Sequence, residues 1–277
     1  MTTMEPRTPT DGPVSEPEPL LRAAAVTLRY GELTAVDSVD LVVDHGGRHA
    51  LIGPNGAGKS SFFSVLAGST RASGGSVEFA GVDVSAESEV HRARRGLVRT
   101  YQHANLFLGL SALDNLRVAV ERAHGRPLRP WPSPRSDRAI RDRAAEHLER
   151  VGLADRSQSL VAALSHGERR QLEVGMVLAC EPQLVLFDEP TAGMSAAETQ
   201  RFTDLVRSLP RSIATVIVEH DLDVVFQLAD RISVLAAGRL IAVGSPEEVR
   251  ADDAVRTAYL GADRTGEPLF LDGTDAL

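Results

Sequence analysis

The sequence predicts an α/β fold. Short apolar runs alternate with amphipathic helical patterns along most of the chain. A Gly-rich loop over 53–60 lies between a strand-like run and a helical one. Leu184 to Phe187 is an unbroken apolar run of the kind found in strands covered on both faces. The chain has 277 residues, enough for one large domain or two small ones, and its 43% hydrophobic content supports a packed core.

Taken in order, Ala23 to Arg29 and Leu41 to Val43 read as strands. His49 to Ile52 is a short strand that feeds the Gly-rich loop, and Ser60 to Ala67 reads as a helix. Ser76 to Phe79 is a further strand. Leu113 to Ala123 and Asp137 to Val151 carry charge on one face and Leu, Ile, Ala and Val on the other, as amphipathic helices do. Between these two helices lies a Pro-rich loop, 124–134, in which Trp131 reads as a packing anchor in preference to a ligand stacker. Strand and helix alternation then resumes. Ser195-Ala-Ala-Glu198 is a capping box that opens a helix, and Ala214 to Val218 is a buried strand. Ile232 to Leu235 and Arg239 to Val243 form a hairpin, and Pro246 sits at the first position of a final helix. The outline is an α/β core over 20–261 with a mostly helical insertion at about 102–180. Residues 1–19, rich in Pro, Thr and Glu, read as a disordered tail without the apolar centre of a signal peptide, and 262–277 as a second tail.

Bulk properties narrow the function. With 30 Lys and Arg against 38 Asp and Glu, the net charge of −8 weighs against a dedicated nucleic-acid binder. The lone cysteine, Cys180, follows the apolar stretch 177–179 and reads as a small core residue, which suits a reducing compartment. No apolar run approaches the ~18 residues of a membrane span, so work at a membrane would need other chains to hold this one there.

The chemistry begins at Gly53-Pro-Asn-Gly-Ala-Gly58-Lys59-Ser60, which fits G-x-x-x-x-G-K-[ST] between strand and helix. Gly53, Gly56 and Gly58 let the backbone bend so that successive N–H groups face phosphate oxygens, beside a helix N-terminus. Lys59 supplies a point charge for the β and γ phosphates, and the Ser60 hydroxyl can ligate Mg²⁺. The predicted ATP contacts are Gly53, Pro54, Asn55, Gly56, Ala57, Gly58, Lys59, Ser60 and Ser61. The bland alternative, a Gly-rich turn before a helix, is opposed by the full spacing and context. Asp188, at the end of the buried run 184–187, is placed to hold the metal or its water. Glu189 follows as the group to orient and deprotonate an attacking water. A capping acid pair is the alternative there. These elements define a P-loop nucleotidase and leave its kind open.

Leu164-Ser165-His166-Gly167-Glu168 resembles the signature motif of ABC ATPases, commonly LSGGQ, with His166 for a Gly and Glu168 for a Gln. Tyr30 is similar to the family's adenine-stacking aromatic, Gln102 to its Mg²⁺- and water-sensing Q-loop glutamine, and His220 to its switch histidine at the γ-phosphate. Ala192 to Ser195 resembles the D-loop. Read from residue context alone, Tyr30 is either a stacking ring or a core aromatic, and His220 either functional or structural; an exposed turn and a strand's C-terminal end favour function.

The resemblance spans about Leu21 to Gly261. It implies an ABC ATPase core with a helical insertion and an N-terminal antiparallel β subdomain. It also implies ATP and Mg²⁺ as ligands, and a head-to-tail pair with a second ATPase subunit, like or unlike, whose signature completes each site in trans. Permease subunits would hold the chain at the cytoplasmic face of the membrane, and an extracytoplasmic substrate-binding protein would act indirectly. The stretch Arg99-Thr-Tyr-Gln102-His-Ala-Asn-Leu106-Phe107 and the ending Tyr259-Leu260-Gly261 look like importers of branched-chain amino acids, a pattern shared with urea and amide importers. Tyr101 to Leu110 is the candidate permease contact. A lipid or polysaccharide exporter subunit and a soluble, non-transport ABC ATPase are the alternatives.

Overall fold

The computed structural model describes residues 18–100, 106–123 and 134–260. Gln102, Trp131, Gly261, the tail expected over 262–277 and nearly all of that expected over 1–19 lie outside the described residues.

The chain opens with β1 (Leu21–Tyr30) and β2 (Leu33–Val43), paired antiparallel across a turn at Gly31, whose φ of 59° suits glycine. Then come β3 (Arg48–Ile52), α1 (Lys59–Ala67), β4 (Gly74–Phe79) and β5 (Val82–Asp83). Strands β2-β1-β4-β5 form one antiparallel sheet. Only Leu41 to Val43 of β2 is expected from the sequence, because Asp37, Ser38 and Asp40 break the apolar pattern before it. The pair is bulged: Ala25 and Ser38 adopt φ of 47° and 52°, and Asp40 Oδ1 accepts from the Ala25 N–H at 2.8 Å.

Next follow α2 (Glu89–Arg94), β6 (Leu97–Arg99), α3 (Ala112–Ala123), α4 (Pro134–Arg150), α5 (His166–Leu178) and β7 (Leu184–Asp188). The last stretch holds α6 (Ala196–Ser208), β8 (Ala214–Val218), α7 (Leu222–Leu228), β9 (Arg231–Ala236), β10 (Arg239–Gly244), α8 (Pro246–Ala251) and α9 (Asp253–Leu260). The second sheet runs β10-β9-β3-β8-β7-β6, parallel except for β10. Sequence reasoning missed β5, α2, β6, α7 and α9. The expected final helix is in fact two, because Asp252 Oδ1 accepts from the N–H groups of Ala254 and Val255 and starts a new one.

The parallel sheet separates two cores, and the pleat sorts its residues between them. Leu184, Leu186, Val216 and Val218 pack with α1 and the antiparallel sheet. Val185, Phe187, Ile217 and Ile232 pack with the helical side, where α3, α4 and α5 bury Leu116, Leu148 and Leu172. Two buried arginines terminate helices. Arg92 donates to the carbonyls of Val65 and Leu66 at the end of α1, and Arg48 to those of Arg207 and Leu209 at the end of α6. Cys180 corrects the core assignment: it is exposed just past α5, with its Sγ donating to the Met176 carbonyl.

His49, buried in β3 with Nε2 2.8 Å from Ser233 Oγ, is pushed down to about 4, chiefly by burial. Between that value and the ordinary ~6.5 the unfolded chain binds more protons, so stability falls as pH falls through this window. His49 therefore accounts for a loss of about 3 kcal/mol on acidification. Urea unfolding at pH 7 and pH 4 checks this: His49→Gln should lose less stability across the window than the wild type.

Candidate functional site

The Gly-rich loop leaves β3 at Gly53, where a Cβ would lie 2.1 Å from the Leu235 carbonyl oxygen of β9, so that close approach admits only glycine. Gly58 ends the loop as the left-handed N-cap of α1, and the Ala35 carbonyl of β2 lies against it. Phe62, Phe63, Val65 and Leu66 bury α1 in the core, which fixes where its N-terminus points. Asn55, Gly56 and Ser60 are exposed; Pro54, Gly58 and Ser61 are half-buried; Gly53, Ala57 and Lys59 are buried. Lys59 Nζ donates to the carbonyls of Gly53 at 2.6 Å and Pro54 at 3.1 Å. Burial pulls this ammonium below the ordinary lysine value, against the pull of Glu189.

Asp188 ends β7, buried, and its Oδ2 accepts from Arg99 Nη2 of β6 at 2.6 Å. Its Oδ1 is buried with no hydrogen-bond partner. The Arg99 guanidinium lies 5.2 Å from the Phe63 ring centroid and donates to Ser69 Oγ. Glu189 takes a left-handed φ of 43° and donates its N–H to the Val218 carbonyl at 2.9 Å. Beyond β8, Glu219 is fully buried and accepts from the Thr191 N–H at 2.9 Å, the Thr191 hydroxyl at 2.6 Å and the His220 N–H. The exposed His220 ring has Nδ1 3.7 Å from the Glu219 carboxylate. Tyr30, at the end of β1, is 53% exposed, which removes the core-aromatic reading.

Ser165 caps α5 in a capping box with Glu168, Leu164 is buried, and His166 is the exposed first helical residue. That helical backbone suits any residue, so replacing a glycine with His166 costs no strain. The ring points toward Gly193, its Cε1 4.0 Å from where a Cβ there would lie. The Ser165 hydroxyl and the Gly167 N–H are both engaged within the chain. Ser165 Oγ donates to Glu198 Oε1 at 3.0 Å, and the Gly167 N–H to the same oxygen at 3.1 Å. A pocket of about 300 Å³ beside them is lined by Arg156, Gln171, Glu198 and Arg201 among others, and by no residue of 53–60.

The sequence profile of the ABC transporter family matches residues 36–192. The chain belongs to that ABC family. A second profile, of the branched-chain amino acid ATP-binding cassette transporter, matches 239–265. This ABC chain is 35% identical over 251 residues to the high-affinity branched-chain amino acid transport ATP-binding protein LivG of Escherichia coli (strain K12), covering 88% of this chain and 98% of that one. It is 33% identical over 250 residues to BraF of Pseudomonas aeruginosa, a protein described in the same words, with the same coverage. It is also similar to the crystal structure of the ADP conformation of MJ1267, an ATP-binding cassette of an ABC transporter. There the TM-score is 0.76 and the identity 26%, covering 88% of this chain and 100% of that one. The protein is thus an ATP-binding subunit of an ABC transporter, an ATPase coupled to transport.

Within this ABC subunit the structure converges Lys59, Asp188 and Glu189 at the C-terminal edge of the parallel sheet, with Ser60 at the head of α1. The orphaned Asp188 Oδ1 is the kind of buried acceptor that a hard divalent cation fits. Sequence reasoning gave no role to Arg99 or Glu219, and none to Glu198 beyond its cap on α6. A charge directly after the apolar pairs Leu97-Val98 and Ile217-Val218 was the available signal for the first two. Tyr259 of α9 was noted only as part of an ending. Its phenol reaches the Gly53 backbone, and burial pushes it up to about 12.

Removing Arg99 would leave the Asp188 carboxylate buried without its counter-charge. Arg99→Ala should lower the unfolding free energy by about 3 kcal/mol, with part recovered in the Arg99→Ala, Asp188→Asn double variant. Urea melts of the four proteins measure the coupling.

Proposed function

We propose that this subunit energises the import of branched-chain amino acids by hydrolysing Mg²⁺·ATP at sites shared between two ATPase subunits. The observation that carries the cargo class is the branched-chain profile match at 239–265, alongside relatives named for that transport. It favours import over the exporter alternative. Leucine, isoleucine and valine uptake by the assembled transporter tests it, and uptake of urea or an amide in their place would overturn it.

The site residues take the following roles. Lys59 exchanges the Gly53 and Pro54 carbonyls for the β and γ phosphates, and the N–H groups of 55–61 hold the remaining oxygens. Ser60 and Asp188 would hold Mg²⁺, with Gln102 completing the set, and its charge would there offset that of the phosphate oxygens. Glu189 takes the proton of the water that attacks the γ-phosphorus. His220, its backbone N–H held by Glu219, faces the γ-phosphate, and the exposed Tyr30 ring stacks on adenine. Leu164, Ser165, His166, Gly167 and Glu168 serve the nucleotide of the second subunit, like or unlike. The pocket beside the signature, lined by no residue of 53–60, supports that division.

Among the described residues no helix is long and apolar enough to cross a membrane. Permease subunits would hold the domain over about 20–261 at the cytoplasmic face, with an extracytoplasmic binding protein delivering cargo. Phe107, Leu108 and Leu110 are exposed together at the head of the helical insertion, which supports a permease contact within 101–110.

Two substitutions test the chemistry. Glu189→Gln should bind ATP and pair, yet turn over about a thousandfold more slowly in a single-turnover assay. Lys59→Ala, losing two charged contacts to phosphate, should bind ATP about a hundredfold more weakly by equilibrium dialysis.

A further inference from the structure

The Glu198 carboxylate lies across the N-termini of two helices. Oε1 accepts from Ser165 Oγ and the Gly167 N–H of α5, at 3.0 and 3.1 Å. Oε2 accepts from the N–H and hydroxyl of Ser195, at 3.1 and 2.9 Å, which cap α6. Four donors hold this carboxyl down to about 2, the Ser195 N–H foremost, so it stays charged at any physiological pH. Gly167 is what lets it so near: a Cβ there would come within 2.8 Å of Glu198 Cγ and Oε1.

A capping box alone explains only half of this. The contacts through Oε2 complete the cap of α6, whereas those through Oε1 reach 33 and 31 residues back to α5. Under the paired-site reading these are two donors that a phosphate oxygen of the second subunit's nucleotide would use. A carboxylate and a phosphate cannot share them, since both are acceptor-only anions at one seat.

We infer that Glu198 is a built-in occupant of the signature seat, an internal anion that a second copy's ATP must displace before the two subunits close. This rests on the proposed pairing of sites in trans. Displacement need not uncap α6, because Oε2 can keep Ser195 while Oε1 swings away. The adjoining pocket, with Arg201 one turn along α6, receives it. Arrival of the partner's nucleotide at α5 is then felt at α6, whose N-terminal approach, 190–195, leads directly from Glu189.

The test compares ATP-driven pairing in full-length Glu189→Gln with the same chain carrying Glu198→Gln or Glu198→Ala, followed by light scattering across ATP concentration. Both second substitutions should lower the ATP concentration at half-pairing, by about tenfold for the alanine. ATP binding to the unpaired subunit should stay unchanged, which also confirms that the variants fold. Glu198→Gln keeps the side-chain shape and much of the α6 cap, so it stands if alanine destabilises the chain. A half-pairing concentration that is unchanged or raised would confine Glu198 to its capping role and overturn the inference. Failure of the Glu189→Gln parent to pair at any ATP concentration would instead overturn the trans-site reading, and the inference with it.

Discussion

Burial of β7 on both faces leaves its carboxylates nowhere to lie except the end of the strand. Leu184 and Leu186 fill one core, and Val185 and Phe187 the other. A charge within that run would have to be desolvated without a partner, at a cost of several kcal/mol. Asp188 therefore emerges at the edge where β3 also ends and the phosphate loop begins. The same constraint acts on β8, whose apolar run ends at Val218 and delivers Glu219 and His220 to that edge. The site is the place where the sheet's polar ends collect, and the two cores hold it there.

At that edge, and at the head of α5, several of the groups placed for a ligand are engaged by one from the chain itself. Lys59 rests on two loop carbonyls, Asp188 on Arg99, and the Ser165 and Gly167 donors on Glu198. Buried or converging polar groups are rarely left without partners. Binding is accordingly an exchange, and its strength is the difference between the new contacts and the internal ones given up. Asp188 Oδ1 breaks the pattern, being buried and unpartnered, and it marks where the chain has no substitute of its own to offer.

Much of this was legible in the sequence because it is local. The phosphate loop is one unbroken segment with fixed spacing; the capping box at Ser195 is formed within four residues; and β7 follows from an uninterrupted apolar run. What escaped is pairing through space. Glu198 reads as a helix cap, which it is, and nothing in Ser-Ala-Ala-Glu announces that its second oxygen binds another helix. Arg99 lies 89 residues from Asp188, on a three-residue strand too short to carry a period. Glu219 stands in Val-Glu-His, where the visible histidine drew the functional reading. The buried acid between is what fixes the Thr191 loop.

That acid also accounts for a backbone otherwise hard to sustain. Glu189, with a β-carbon, sits at a φ of 43°, a conformation that costs of order 1 kcal/mol and persists only when its surroundings fix it. Two contacts do so from either side. The Glu189 N–H is bonded to the Val218 carbonyl, which carries the β7–β8 ladder one step past the strand. Two residues on, the Thr191 N–H and hydroxyl both donate to Glu219, the residue that follows Val218. Strand β8 thus grips the segment before and after the turn, and the strained residue is caught between. An ordinary extended backbone at 189 would continue the strand and send the side chain into one of the two cores. The left-handed turn keeps it half-buried at the edge, beside Lys59.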